Sequence, residues 1–241
     1  MTATRWWVVI FLVAAPAALA GCASDGSARN RGKIEIGDGE SFDGLLEVTN
    51  SSASAAWVRR DFDLSGYSRV RLEGAGIEYR PVRSGSRRLR SANEGFPVSQ
   101  SAQARLVDVM RKAFEQELAR SKRFALTEEI GPGVLTVWAG LLDVVSFAPP
   151  QRAGRNDIFL RRLGEATLVI ELRDSESNAT LARVMDRRAL ETMNRGGSHS
   201  NAVSNFGDVQ KLATSWARLL RQRLDESPTL SHAAEPLPAS K

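Results

Sequence analysis

The stretch Val134-Leu135-Thr136-Val137-Trp138-Ala139-Gly140-Leu141-Leu142-Asp143-Val144-Val145-Ser146-Phe147 decides the fold. Leu135, Val137, Ala139 and Leu141 share one parity, Trp138 and Leu142 the other. Apolar residues on both faces predict a strand in the interior of a sheet, covered on both sides. Pro149 and Pro150 end it. Upstream, Gly131-Pro132-Gly133 is a turn, and Phe124-Ala125-Leu126 reads as a short strand. Downstream, after a charged loop over residues 151–164, residues 166–172 form a strand, Asp174 to Asn178 a hairpin turn, and residues 180–189 the antiparallel return.

Two helical stripes flank this β-rich centre. Leu106, Val109, Met110, Ala113, Phe114 and Leu118 recur at steps of three and four, with Arg105, Asp108, Lys112 and Glu115 on the outside and Ser99 or Ser101 as the cap. Phe206, Val209, Leu212, Ala213, Trp216, Leu219, Leu220 and Leu224 repeat the pattern, with Asn205 and Asp208 spaced as a capping pair. Near the start of the body, Trp57-Val58-Arg59 is extended. Residues 63–67 turn, with Gly66 free to take positive φ, and residues 69–79 form a strand broken by a bulge at Gly74 and Gly76. The expected fold is α+β: a mixed, mainly antiparallel sheet of five to six strands with two long amphipathic helices packed on it.

The beginning of the chain has a different character. Arg5 precedes an apolar run over residues 6–20, too short for a comfortable membrane span and ending in small residues, which is the layout of a secretory signal. Leu19-Ala20-Gly21-Cys22 follows, and Cys22 is the only cysteine. These four residues resemble the lipobox of bacterial lipoproteins. That resemblance implies cleavage between Gly21 and Cys22, lipid on the Cys22 sulfur and acylation of the new amine. With more than one acyl chain the anchor is stable. Ala23, where an Asp would oppose transfer, points to the outer membrane, facing the periplasm. The organisation expected is a signal peptide over residues 1–21, lipidated Cys22 and a Ser- and Gly-rich flexible tether over 22–54, one domain over 55–225, and a loose Pro-containing tail over 226–241.

Net charge is +5, modest for 241 residues, and the expected export argues against nucleic acid as a partner. Arg83, Arg87, Arg88 and Arg90 crowd a polar segment and are candidate contacts for an anionic ligand, together with Arg152, Arg155, Arg161 and Arg162. His199 and His232 are the only histidines, both in loop-like sequence. No ligand set for a metal, no Gly-x-Ser-x-Gly elbow and no cofactor motif is present, so neither metal nor cofactor is expected. Asp143 and Asp186 are the carboxylates most able to meet, if their strands are neighbours, and a meeting would allow glycosidase-like acid–base work.

Several pieces together resemble one bacterial lipoprotein family, catalogued as domain of unknown function 3313. They are Trp57-Val58-Arg59, Phe62-Asp63-Leu64-Ser65-Gly66-Tyr67, Gly131-Pro132-Gly133-Val134-Leu135, Leu141-Leu142-Asp143-Val144, Asp186-Arg187 and Trp216-Ala217, in this order behind the lipobox. Leu142 stands where that family often has Thr. The resemblance spans residues 56–225 and implies a membrane-anchored envelope protein without assigned catalysis. The expected role is a non-catalytic module that binds an envelope protein partner, with an anionic lipid or cell-wall fragment as the alternative ligand and hydrolysis by Asp143 and Asp186 as the third reading.

Overall fold

The computed structural model describes residues 34–81, 95–147, 159–160, 162–191, 198–199 and 202–226. Ten strands and two helices alternate along them: β1 (Ile36–Glu40), β2 (Leu46–Val48), β3 (Ala55–Val58), β4 (Arg69–Tyr79), α1 (Gln100–Leu118), β5 (Ala125–Leu126), β6 (Val134–Ser146), β7 (Phe159–Leu160), β8 (Arg162–Asp174), β9 (Thr180–Glu191), β10 (Ser198–His199) and α2 (Ala202–Glu226). Eight strands form one sheet in the order β1-β2-β3-β9-β8-β6-β4-β5, and β10 and β7 form a separate antiparallel pair. All pairings in the large sheet are antiparallel except those of β4 with β5 and with β6. The α+β class and the two helices are as expected, but the sheet is larger than five to six strands.

The difference lies in residues 34–54, read from the sequence as tether. β1 and β2 are here, hydrogen-bonded onto β3, and Leu45 beside them is only 2% exposed. The segment is poor in apolar residues because both strands are short and lie at the sheet margin. Ile36, Leu46 and Val48 alternate correctly, but Gly37, Gly39 and polar neighbours dilute the pattern. Gly37 and Gly39 let side chains of β2 and its flank lie close: a Cβ at either would fall 2.7 Å or less from a Thr49 or Glu47 side-chain atom, which would have to move aside.

Both helices cover one face of the sheet. Phe114 and Leu118 of α1 and Trp216, Ala217 and Leu224 of α2 share a buried cluster with Leu135, Val137, Leu141, Leu168, Ile170, Leu172 and Ala182. Ser99 caps α1, its Oγ accepting from Ala102 N–H. Asn205 does not cap α2, which already begins at Ala202; Asp208 instead accepts from Lys211. Between the helices Glu117, 2% exposed, accepts from Arg120 and Arg221, and Asp225 accepts from Ser121 Oγ and Lys122 N–H. The arginines around it offset part of the cost of burying such a group.

At one end of the sheet, Tyr67 donates its hydroxyl hydrogen to Asp174 (3.0 Å), and Gly133 C=O accepts from the Ser68 and Arg69 amides. Gly133, at φ +70°, has its notional Cβ position 3.2 Å from Gly66 O. The positive φ expected of Gly66 is therefore found at Gly133, and the Asp63 carboxylate closes the earlier turn by accepting from Ser65 N–H. Burial of the Tyr67 hydroxyl, reinforced by its bond to Asp174, pushes its pKa up to about 12.

If residues 34–54 belong to the domain, Leu45→Ala lowers unfolding free energy by about 2–5 kcal/mol, the usual cost of truncating a buried leucine. Urea denaturation measures this. An unchanged midpoint would return the segment to a tether.

Candidate functional site

The second face of the sheet has no helix over it among the described residues. Cross-strand register places Glu73, Trp138, Glu171, Arg183, Trp57 and Glu47 in one row from β4 to β2. Directly opposed residues share a face. A second row, Gly140, Val169, Met185 and Ala55, lies beside it, and a third holds Leu142, Thr167 and Arg187. Along β6 this face opens progressively, from Val134 at 0% exposure to Leu142 at 38%. The coverage expected on both faces of β6 therefore holds only for its first half.

Two charge clusters occupy this face. In the first, Arg183 donates Nε–H to Glu171 (2.6 Å) and both terminal nitrogens to Asp43 (3.1 and 2.6 Å), while Arg173 also donates to Glu171 and lies over the Trp138 ring at 4.5 Å. Glu171 is thereby buried without a helix above it. Arg183 also approaches the ring of Phe42, itself 96% exposed. The guanidinium of Arg183, with help from the Ser41 hydroxyl, lowers the Asp43 pKa to about 2.

The second cluster sits at a bulge. Between Leu142 and Val145 the β6–β8 register shifts, and Asp143 takes φ +54°, a left-handed conformation that aspartate tolerates better than most residues. The bulge puts Leu141 and Val144 on the core side and turns the Asp143 carboxylate to the opposite face. There Arg80 grips it with two nitrogens (2.6 and 2.5 Å), Arg187 stands 3.7 Å away, and both arginines reach Glu165 (3.4 and 2.8 Å). Arg80 holds the Asp143 carboxyl below its ordinary range.

Asp186 lies on the other side of the sheet. It is opposed to Leu168 on the helix-covered face, where its carboxylate accepts from Trp216 Nε1–H (2.8 Å) and Arg188 Nε–H (2.7 Å). β8 separates β6 from β9, so the two strands are not neighbours. Asp143 and Asp186 therefore do not form a carboxylate pair, and the glycosidase-like reading fails on geometry. Asp143, Glu165, Glu171 and Asp43 are each matched by arginine, an arrangement that suits a fixed polar surface better than an acid–base centre.

Gly21, Cys22, Arg83, Arg87, Arg88, Arg90, Arg152, Arg155, Arg161 and His232 lie outside the described residues, as do the side chains of Arg162 and His199. No group of three or more His, Cys, Asp or Glu among the described residues is placed to hold a metal ion, and no described helix is long and apolar enough to cross a membrane. Sequence reasoning missed Arg80, Glu165, Glu171, Arg173, Arg183 and Asp43. Glu165, Thr167, Glu171 and Arg173 share one parity in residues 165–173, and Arg183 and Arg187 share one in residues 180–187, interrupted by Val169 and Met185; that signal marks their shared face.

A helix pair laid on one side of a mostly antiparallel sheet, with an arginine–carboxylate and tryptophan surface on the other, defines a small α+β domain. The family described as "Protein of unknown function (DUF3313)" matches residues 38–220, and the chain belongs to it. The match begins inside β1, in agreement with the sheet. No curated protein matches the sequence. Among solved structures, a DUF330-family protein from Xanthomonas campestris is 14% identical, with 69% of this chain and 89% of that one covered at a TM-score of 0.39. A PelC dodecamer from Paraburkholderia phytofirmans is 8% identical, over 66% and 87% at 0.31. A Helicobacter pylori protein described as a neuraminyllactose-binding hemagglutinin homolog is 9% identical, over 66% and 88% at 0.36. Likenesses this distant say nothing of what this chain binds.

Asp43 and Asp143 give the domain an acid sensitivity of known sign. A carboxylate whose pKa is lowered on folding stabilises the fold above its unfolded value and loses that contribution as pH falls through the folded value. For Asp43 the window runs from 3.8 down to about 2. Urea midpoints should fall across it, and the fall should be shallower in Asp43→Asn. Equal slopes in the two proteins would contradict the Arg183–Asp43 assignment.

Proposed function

We propose that this chain is an outer-membrane lipoprotein, facing the periplasm and anchored by lipid on Cys22, whose domain binds another envelope protein through the helix-free face of its sheet and catalyses no reaction. The observation that carries the reading is the composition of that face. Trp57, Trp138, Phe42, Met185 and Leu142 are interleaved with arginines, the mixture characteristic of protein-binding hot spots. Each cluster holds two carboxylates and two guanidinium groups, so the face carries no cationic surplus for a polyanion. The described arginines of this face therefore favour a protein surface over an anionic lipid.

The anchor rests on Leu19-Ala20-Gly21-Cys22. With the sheet starting at Ile36, the chain from Cys22 spans no more than roughly 50 Å, which keeps the domain near the bilayer. Labelled palmitate is expected to enter the wild-type protein and not Cys22→Ser. A photo-crosslinking residue at position 142 is expected to capture an envelope protein in intact cells, whereas the same residue at exposed Val107 on α1 does not. Palmitate-free wild-type protein would remove the anchor. Capture from both positions alike, or from neither, would remove the docking face.

A further inference from the structure

Among the described residues, the large sheet ends in an edge that is mostly unpaired. β4 pairs along its inner side with β6, but on its outer side β5 reaches only Arg69 and Val70, with Thr127 N–H donating to Val70 O as the last bond. From Arg71 to Tyr79 no described strand accepts or donates along the outer side. Such a row of backbone groups is a template for another strand. Leu72 and Ile77 sit on this edge only partly buried against the core. A Cβ at Gly74 or Gly76 would meet no atom within 4 Å, so neither glycine is covered on the face to which its Cβ would point.

We propose that a second copy of this chain fills the edge, β4 pairing antiparallel with β4 about a two-fold axis and joining the two sheets into one. Three features argue for a copy rather than a different strand. The first is charge. With the axis between Gly74 and Ala75, Arg71 of each copy lies opposite Glu78 of the other, giving two attractive pairs by symmetry. The second is the side chains between them, since the same register sets Leu72 against Ile77 twice. These pairs match in face because the Gly74–Gly76 bulge shifts parity. Leu72 and Ile77 both belong to the core side, although their numbering alone would place them on opposite sides. The third is length. β5 blocks the outer edge as far as Val70, and its symmetry copy blocks the corresponding end of the partner strand. The two blocks leave residues 71–78 free to pair, the segment whose residues complement one another.

The test uses the full chain carrying Cys22→Ser in detergent solution, followed by sedimentation equilibrium. A reversible dimer is expected. Arg71→Glu and Glu78→Arg should each weaken it roughly tenfold by placing like charges opposite each other twice, and the two together should restore it. In the same background, Arg71→Cys combined with Glu78→Cys should give a disulfide-linked dimer on mild oxidation, whereas the single exposed change Arg60→Cys should not. Circular dichroism confirms that each variant is folded. A monomer at every concentration, a double charge reversal no tighter than the single ones, or a dimer that the cysteine pair fails to link would each overturn the proposal.

Discussion

One layer of two helices serves an eight-stranded sheet, and that shortage shapes the rest of the molecule. α1 and α2 meet the core side of β6, β8 and β9, where Leu135, Val137, Leu168, Ile170 and Leu172 remove their surface from water. Nothing equivalent covers the reverse side among the described residues. A sheet face without a covering layer must either be polar, as most exposed antiparallel faces are, or be completed by something else. This one does both. Its arginines and carboxylates neutralise one another, and tryptophans and aliphatic side chains lie between them.

The clusters on that face have a different cost from surface salt bridges. An exposed pair contributes about 0–1 kcal/mol. Glu171 and Glu165 are buried, and removing one partner of a buried pair typically costs about 3–5 kcal/mol because a carboxylate is left without compensation. Arg183 connects β9 to β8 and to Asp43 in the β1–β2 connection, so the margin of the sheet is tied to its centre through one guanidinium. On the opposite face the Trp216–Asp186 bond plays the corresponding part, fixing α2 against β9. The segments that resemble the family thus fall at junctions. Asp143 marks the bulge, Asp186 and Trp216 meet each other, and Tyr67 and Gly133 close one end of the sheet.

Much of this architecture is legible in the sequence because it rests on period and punctuation. β4 runs over residues 69–79 as its alternation predicts, with the bulge at Gly74 and Gly76. Ser99 caps α1, and the hairpin turns between Asp174 and Asn178. The departures have one kind of cause: a local feature that alternation does not encode. β1 and β2 are too short and too rich in glycine to be seen by period. The Asp143 bulge reverses the side to which its carboxylate points; simple alternation from Leu141 would have put Asp143 and Asp186 on the same face. The arginine clusters depend on register between strands far apart in sequence, so their residues are visible singly and their union is not. The Arg83–Arg90 candidates lie outside the described residues.

The central claim is that the two faces of this sheet differ, one closed by helices and the other available to a partner. Acrylamide quenching of single-tryptophan proteins tests it most directly, since Trp216 is 4% exposed on the helix side while Trp57 and Trp138 stand half-buried on the other. With the remaining tryptophans replaced by phenylalanine, emission from Trp57 and from Trp138 should be quenched several times more readily than emission from Trp216. Equal protection of all three would mean that the rest of the chain already closes the second face, and the binding role argued from it would be lost.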